Sequence, residues 1–236
     1  MKLLALDTST ELCSAALWLD GHCSTREVSR ERGHGELILS MIDELLTEAD
    51  IGLRQLDAIA FGRGPGGFTG LRLGVGVAQG LGFAAGLPLL PISDLRAIAA
   101  QVLLRAAAPP RTLVCQDARM NEVYWGCFER LGEAVNAVGP EAVANPGSVT
   151  LPAVWSDTPV CGAGSGFAAY ARLLTPVSAT LTEVHPDLRP RAREIALLAA
   201  HEGLVNAVPA EQAQPVYLRD QVAQQPLDRS GGRSPN

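Results

Sequence analysis

Two short segments carry residue types that could handle a phosphate. Asp7-Thr8-Ser9-Thr10 follows an apolar run, so its hydroxyls and backbone N–H groups would stand at a strand end as donors, with Asp7 placed to face a metal. The same four residues can equally close an Asx or ST turn, in which the side chains satisfy their own backbone. The second segment, Gly62-Arg63-Gly64-Pro65-Gly66-Gly67, formally matches G-x-G-x-x-G between a strand and a helix. Asp94 follows the next strand, where a ribose-binding acid would stand. Pro65 inside the loop and the three-strand meander ahead of it argue against a dinucleotide site. A Walker loop is excluded, since no Gly-Lys-Ser/Thr follows. Gly162-Ala163-Gly164-Ser165-Gly166 is a further glycine turn, read as a plain strand-to-helix connection.

Catalytic machinery is not legible elsewhere. His34 opens a helical stretch, but its i+4 neighbour is Ile38, so no His-x-x-x-His metal pair exists there. His22, His185 and His201 join no recognisable constellation, and no Gly-x-Ser-x-Gly elbow occurs. The five cysteines (Cys13, Cys23, Cys115, Cys127, Cys161) are odd in number and lack a C-x-x-C pair, so no metal site is expected from them. With no signal peptide at the N-terminus, they point to buried, reduced thiols in a reducing cytoplasm.

The elements that must position these residues form an α/β pattern. Leu3–Leu6, Cys13–Leu19 and His22–Ser29 read as three strands, with Asp20-Gly21 as a hairpin turn. Positions 36–49 have a wide apolar stripe at helical period: Leu37, Ile38, Met41, Ile42, Leu45, Leu46 and Ala49. A strand at 56–61 leads through the glycine loop into a helix with no charge after Arg72, in which Gly70, Gly74, Ala78, Gly82 and Gly86 recur every fourth residue. Glycine in a helix interior costs about 1 kcal/mol against alanine, so Gly74, Gly76, Gly80 and Gly82 together cost about 4 kcal/mol. Such a helix requires close packing on more than one side, and the ridge of small residues is the expected contact face. The uncharged run 73–93 is interrupted by Pro88 and Pro91 and holds Gln79, so it reads as a buried helix followed by a strand and not as a membrane span.

A strand at 89–92 and a helix from Asp94, capped by Ser93, complete a β-β-β-α-β-α-β-α order. Ala106-Ala107-Ala108-Pro109-Pro110 reads as a hinge. The boundaries expected are 1–108 for an N-terminal subdomain, 109–220 for a smaller C-terminal one, and 221–236 for a polar, disordered tail. At 236 residues, with 47% hydrophobic and 19% charged residues, the chain is an ordinary globular protein. A net charge of −6 argues against autonomous binding of nucleic acid, which relies on Lys and Arg.

The chain resembles the TsaB (YeaZ) family. The resemblance lies in Leu4-Ala5-Leu6-Asp7-Thr8-Ser9-Thr10-Glu11, in His34-Gly35-Glu36-Leu37, and in the block from Ala58 through Gly64-Pro65-Gly66-Gly67-Phe68-Thr69-Gly70-Leu71-Arg72 to Gly74. It continues in Asp117-Ala118-Arg119-Met120-Asn121 and Pro215-Val216-Tyr217-Leu218-Arg219. Gly67 stands where the family more often has serine. The resemblance implies an α/β, actin-like ATPase fold (sugar kinase/Hsp70 type) of two subdomains. It also implies a subunit of the bacterial tRNA threonylcarbamoyladenosine modification complex that binds the catalytic paralogue TsaD, with TsaE, and reaches tRNA only through the complex. TsaD carries a His-x-x-x-His metal motif in its first long helix, and the second ligand is absent here.

The partner interface expected on these grounds comprises His34, Leu37, Ile38, Met41, Ile42 and Leu45 of one helix and Gly70, Gly74, Val75, Ala78, Gln79 and Gly82 of the other. A homodimer through the same surface is expected when TsaD is absent. No cofactor of the chain's own is expected; ATP or ADP with Mg would belong to the complex interface. Two functions remain open: a non-catalytic interaction subunit, or a self-sufficient actin-like nucleotide-binding enzyme in which Asp7, Thr8 and Ser9 face the nucleotide.

Overall fold

A computed structural model describes residues 1–156 and 158–219. The expected tail at 221–236 therefore lies outside the described residues. The first sheet is built from β1 (Lys2–Asp7), β2 (Leu12–Leu19), β3 (His22–Ser29), β4 (Ala58–Gly62) and β5 (Leu89–Ile92) in the order β3-β2-β1-β4-β5. β1, β4 and β5 run parallel, while β2 and β3 form an antiparallel meander against β1. The Asp20-Gly21 turn joins that meander with both residues at positive φ, as a tight hairpin with right-handed strand twist demands.

The second sheet repeats the plan. β6 (Arg111–Asp117), β7 (Val123–Leu131), β8 (Ala134–Ala137), β10 (Val160–Ala163) and β11 (Glu183–His185) lie in the order β8-β7-β6-β10-β11, with β9 (Ala142–Ala144) paired to β7. Central, parallel and antiparallel strands thus occupy corresponding places in both halves, which is the duplicated architecture of the actin-like ATPase fold.

Helices α1 (His34–Glu48), α2 (Phe68–Ala85), α3 (Asp94–Leu103), α4 (Gly166–Ala169), α5 (Ala171–Ser178) and α6 (Ala192–Glu202) complete the molecule. Strand alternation sorts the core into layers. Leu4, Leu6, Ile59 and Phe61 face α1 and α2, whereas Leu3, Ala5, Ala58 and Ala60 face the opposite side. That opposite side is covered by α6, although α6 follows the second sheet in the chain. Reciprocally, α3 follows the first sheet and packs on β6 and β7 of the second. The two helices also pack on each other, so one central core draws on both sheets. Sequence reasoning assigned 192–202 to the C-terminal subdomain; its side chains instead complete the first sheet. α4 and α5 cover the outer face of the second sheet around Trp155 and Phe167.

The segment after α6 is a strap that no periodicity announced. Val208 exchanges two 2.8 Å backbone hydrogen bonds with Leu89, Gln79 Nε2 donates to the Ala213 carbonyl at 3.0 Å, and Val216 N donates to the Arg63 carbonyl at 2.7 Å. The strap therefore runs along one flank of α2 before Arg219 pairs with Glu122 of the second half.

Candidate partner interface

α2 begins after the glycine loop and ends at Gly86, whose φ of 69° makes the left-handed stop common at helix C-termini. Its inner row settles on the first sheet at very short range. A Cβ on Gly70 would overlap the Thr8 carbonyl, one on Gly74 would stand 2.8 Å from Thr8 Oγ1, and one on Gly82 would stand 2.8 Å from Leu89 Cδ2. Val75 and Ala78 are buried in the same core as Ile38, Met41, Ile42 and Leu45 of α1. The expected face is thereby corrected. Ile38, Met41, Ile42, Leu45, Gly74, Val75, Ala78 and Gly82 bury their surface within this chain and have none to give a partner. Sequence spacing showed that small residues line one side of the helix but not which body they approach; that body is the first sheet of the same molecule, the turn after β1 at Gly70 and Gly74 and Leu89 of β5 at Gly82.

The opposite row is what α2 leaves uncovered. Gly76 and Gly80 are exposed, and a Cβ added to either would meet nothing within 4 Å. At 100° per residue they share a stripe with Leu73, Ala84 and Phe83, and Phe83 is 82% exposed. Leu73 approaches Gly35 of α1, so the stripe continues onto that helix, where Leu39, on the same side as Gly35, is 51% exposed; Leu37 and His34 are half-buried and lie on the other side of α1. His34 Nε2 lies 2.6 Å from the Arg30 carbonyl. Gln79 is half-buried and bonded to the strap. On the strap side, Arg72 stacks over Phe68 at 3.8 Å and donates to the Tyr217 hydroxyl at 3.0 Å. The stripe is uncharged from Leu73 onward.

The residues considered for a nucleotide lie at the C-terminal ends of β1 and β4. Asp7, Thr8 and Ser9 are all buried. Asp7 Oδ1 accepts from Ser9 N at 3.1 Å and from Ser9 Oγ at 3.0 Å, and Thr8 Oγ1 donates to the Gly70 carbonyl at 2.7 Å. Gly67 N donates to the Ser9 carbonyl at 2.8 Å, and a Cβ on Gly66 would stand 2.7 Å from Ser9 Cβ. The glycine loop thus folds down onto the Asp7–Thr10 turn, and the Thr8 and Ser9 hydroxyls, Ser9 N and Gly67 N already have partners within the chain. Asp94 does not face a ribose. Its carboxyl is buried and meets Asp7 over the bare backbone of Gly62, where a Cβ would overlap Asp7 Oδ2 and Asp94 Oδ1.

Asp7 Oδ2 and both Asp94 oxygens are buried without a hydrogen-bond partner, so a proton carried by one carboxyl and offered to the other is the arrangement that would relieve the facing pair. Burial pushes Asp7 up to about 6, and burial together with the neighbouring Asp7 charge pushes Asp94 well above the usual carboxylate range. The pairing joins the end of β1 to the start of α3, and no spacing in the chain foretold it.

Comparison with known proteins places this geometry. The family described as "TsaD: tRNA N6-adenosine threonylcarbamoyltransferase" matches residues 27–227. The Escherichia coli tRNA threonylcarbamoyladenosine biosynthesis protein TsaB is 37% identical over 94% of this chain and 96% of its own length. The chain belongs to the TsaB family. The Haemophilus influenzae TsaB is 39% identical over 94% of this chain and 95% of its own. The solved YeaZ from Pseudomonas aeruginosa superposes with a TM-score of 0.83 at 39% identity, covering 92% of this chain and 99% of that one. TsaB proteins serve tRNA threonylcarbamoyladenosine biosynthesis, and this chain has that family's fold over nearly its full length. Among the described residues, no helix is long and apolar enough to cross a membrane.

Proposed function

We propose that the chain is the non-catalytic partner subunit of the threonylcarbamoyladenosine machinery. It binds and stabilises the catalytic paralogue TsaD through the outer stripe of α2 and the adjoining edge of α1, and works with TsaE in the cytoplasm, reaching tRNA only through the complex. The observation that carries this reading is the pair Gly76 and Gly80. Each costs the helix about 1 kcal/mol against alanine, and among the described residues nothing stands where a side chain at either position would be. The inner glycines have an internal reason to be glycine; the outer two have none until another backbone approaches. Phe83 and Leu39 supply exposed apolar area beside them. When TsaD is absent, a second copy of the chain covers the same stripe.

A self-sufficient nucleotide enzyme would need free donors at Asp7, Thr8 and Ser9, and the bonds within the turn and to the glycine loop argue against it. ATP or ADP with Mg then belongs to the assembled complex. The test replaces Gly76 by Arg, a substitution that the open surface tolerates. Gel filtration with TsaD should show loss of the complex while the variant's circular dichroism stays native. Ala78→Glu would not serve, since Ala78 lies in the core. A Gly76→Arg variant that co-elutes with TsaD as the wild type does would end the proposal.

A further inference from the structure

The edge of the second sheet carries a group of side chains that the interface does not use. β10 and β11 run parallel with Cys161 opposite Glu183 and Ala163 opposite His185, so residues 161, 183 and 185 point to one face of the pair. Their donor atoms, the Cys161 thiol, a Glu183 carboxylate oxygen and a His185 ring nitrogen, all lie within 4.8 Å of one another. Among the described residues, no other three metal-ligating side chains converge in this way. We propose that Cys161, Glu183 and His185 form a binding site for a divalent transition-metal ion of the zinc type.

The chemistry of the donor set favours zinc over a hard cation. Thiolate and imidazole are ligands for borderline-soft ions, whereas Mg²⁺ and Ca²⁺ take oxygen. One thiolate and one carboxylate together balance the charge of a dication, with the imidazole neutral. Geometry agrees as well. Zinc bonds of about 2.0–2.3 Å in a tetrahedron hold neighbouring donors roughly 3.3–3.7 Å apart. His185 Nε2 and Glu183 Oε2 are already 3.4 Å apart, and the Cys161 thiol, which lies within 4.8 Å of both, would give up its 3.4 Å contact with the Gly162 carbonyl on binding.

Depth is graded in the sense a site requires: Cys161 is buried, His185 is half-buried, and Glu183 is exposed, so an ion enters from the solvent side and binds the thiol last. Arg105 is the competing cation. Its Nη1 lies 3.5 Å from His185 Nε2, and its exposed side chain has to withdraw as the ion enters. Three protein ligands leave a fourth position for water. Bound metal would clip β11, a three-residue edge strand, onto β10.

Sequence reasoning found no constellation for His185 and no metal site among the cysteines, because the three ligands come from two strands whose register is invisible in the chain. Titration of the reduced full-length protein with Co²⁺ tests the site. One equivalent should give a thiolate-to-cobalt charge-transfer band in the near ultraviolet, and Zn²⁺ should bleach it. Cys161→Ser should abolish the band, and His185→Gln and Glu183→Gln, both outside the core, should each weaken affinity by at least about tenfold. If Cys161→Ser fails to fold, the latter two variants decide. Absence of a stoichiometric band in the wild type, a band that survives Cys161→Ser, or affinity unchanged in His185→Gln and Glu183→Gln would overturn the site.

Discussion

Asp94 shows how much one residue can hold. Its carboxyl is buried beside Asp7 over Gly62 with neither oxygen hydrogen-bonded, so a neutral Asp94 able to donate to Asp7 Oδ2 is the least costly state. Asp94→Asn keeps a donor at that point and should leave stability near wild type at neutral pH. Asp94→Ala leaves Asp7 Oδ2 unpaired and should cost roughly 1–3 kcal/mol in urea unfolding. The pH dependence follows in sign. Both folded pKa values lie above the ordinary one, so the native state holds more protons than the unfolded chain. The stabilisation is full below about pH 4. It declines as pH rises through about 6 for Asp7 and continues to decline above that for Asp94. Asp94→Asn should flatten this fall, and a variant with an unaltered pH–stability slope would contradict the shared proton. None of this pairing could be read from residues 87 positions apart in the chain. What the sequence did show was an aspartate after each strand, and that both could be polar site residues; burial turned them inward.

At the scale of the element, α2 separates two kinds of glycine that composition cannot distinguish. Gly74→Ala would press a methyl against Thr8 Oγ1 and should destabilise the isolated chain. Gly76→Ala and Gly80→Ala meet open space and should each stabilise it by about 1 kcal/mol, read as a higher melting temperature. A loss of stability in the outer pair would show that those positions are not free. Most of the element plan was legible in hydrophobic periodicity. The hairpin at Asp20-Gly21, the helices at 34–48 and 68–85, and the strands of the first sheet fell within a few residues of their expected limits. The orientation of α2 was not, because small residues recur on both of its sides and only the approach of the Asp7–Thr10 turn tells inner from outer. The strap from Val208 to Arg219 was equally hidden, since an extended segment held by backbone bonds to Leu89 and Arg63 carries no apolar period.

Among the described residues one central core draws on both sheets. Because α3 packs on the second sheet and α6 on the first, neither half retains a complete core when separated. A fragment of residues 1–108 would expose Leu3, Ala5, Ala58 and Ala60, which α6 covers, and should lack a cooperative thermal transition; a sharp transition would refute the exchange of helices. This crossing lies beyond what periodicity reveals, since it is a property of chain routing. Among the described residues the outer stripe of α2 is also left uncovered, since the strap lies on one flank of that helix, α1 on the other, and the sheet at its base; this is the surface proposed above for assembly. The affinity of the chain for TsaD by titration calorimetry, compared between wild type, Gly80→Arg and Glu133→Arg, bears most directly on that conclusion. Glu133 lies in the exposed β7–β8 turn of the other sheet and serves as the control. Binding should be lost in Gly80→Arg and retained in Glu133→Arg; equal affinity in all three would contradict the assignment of the interface.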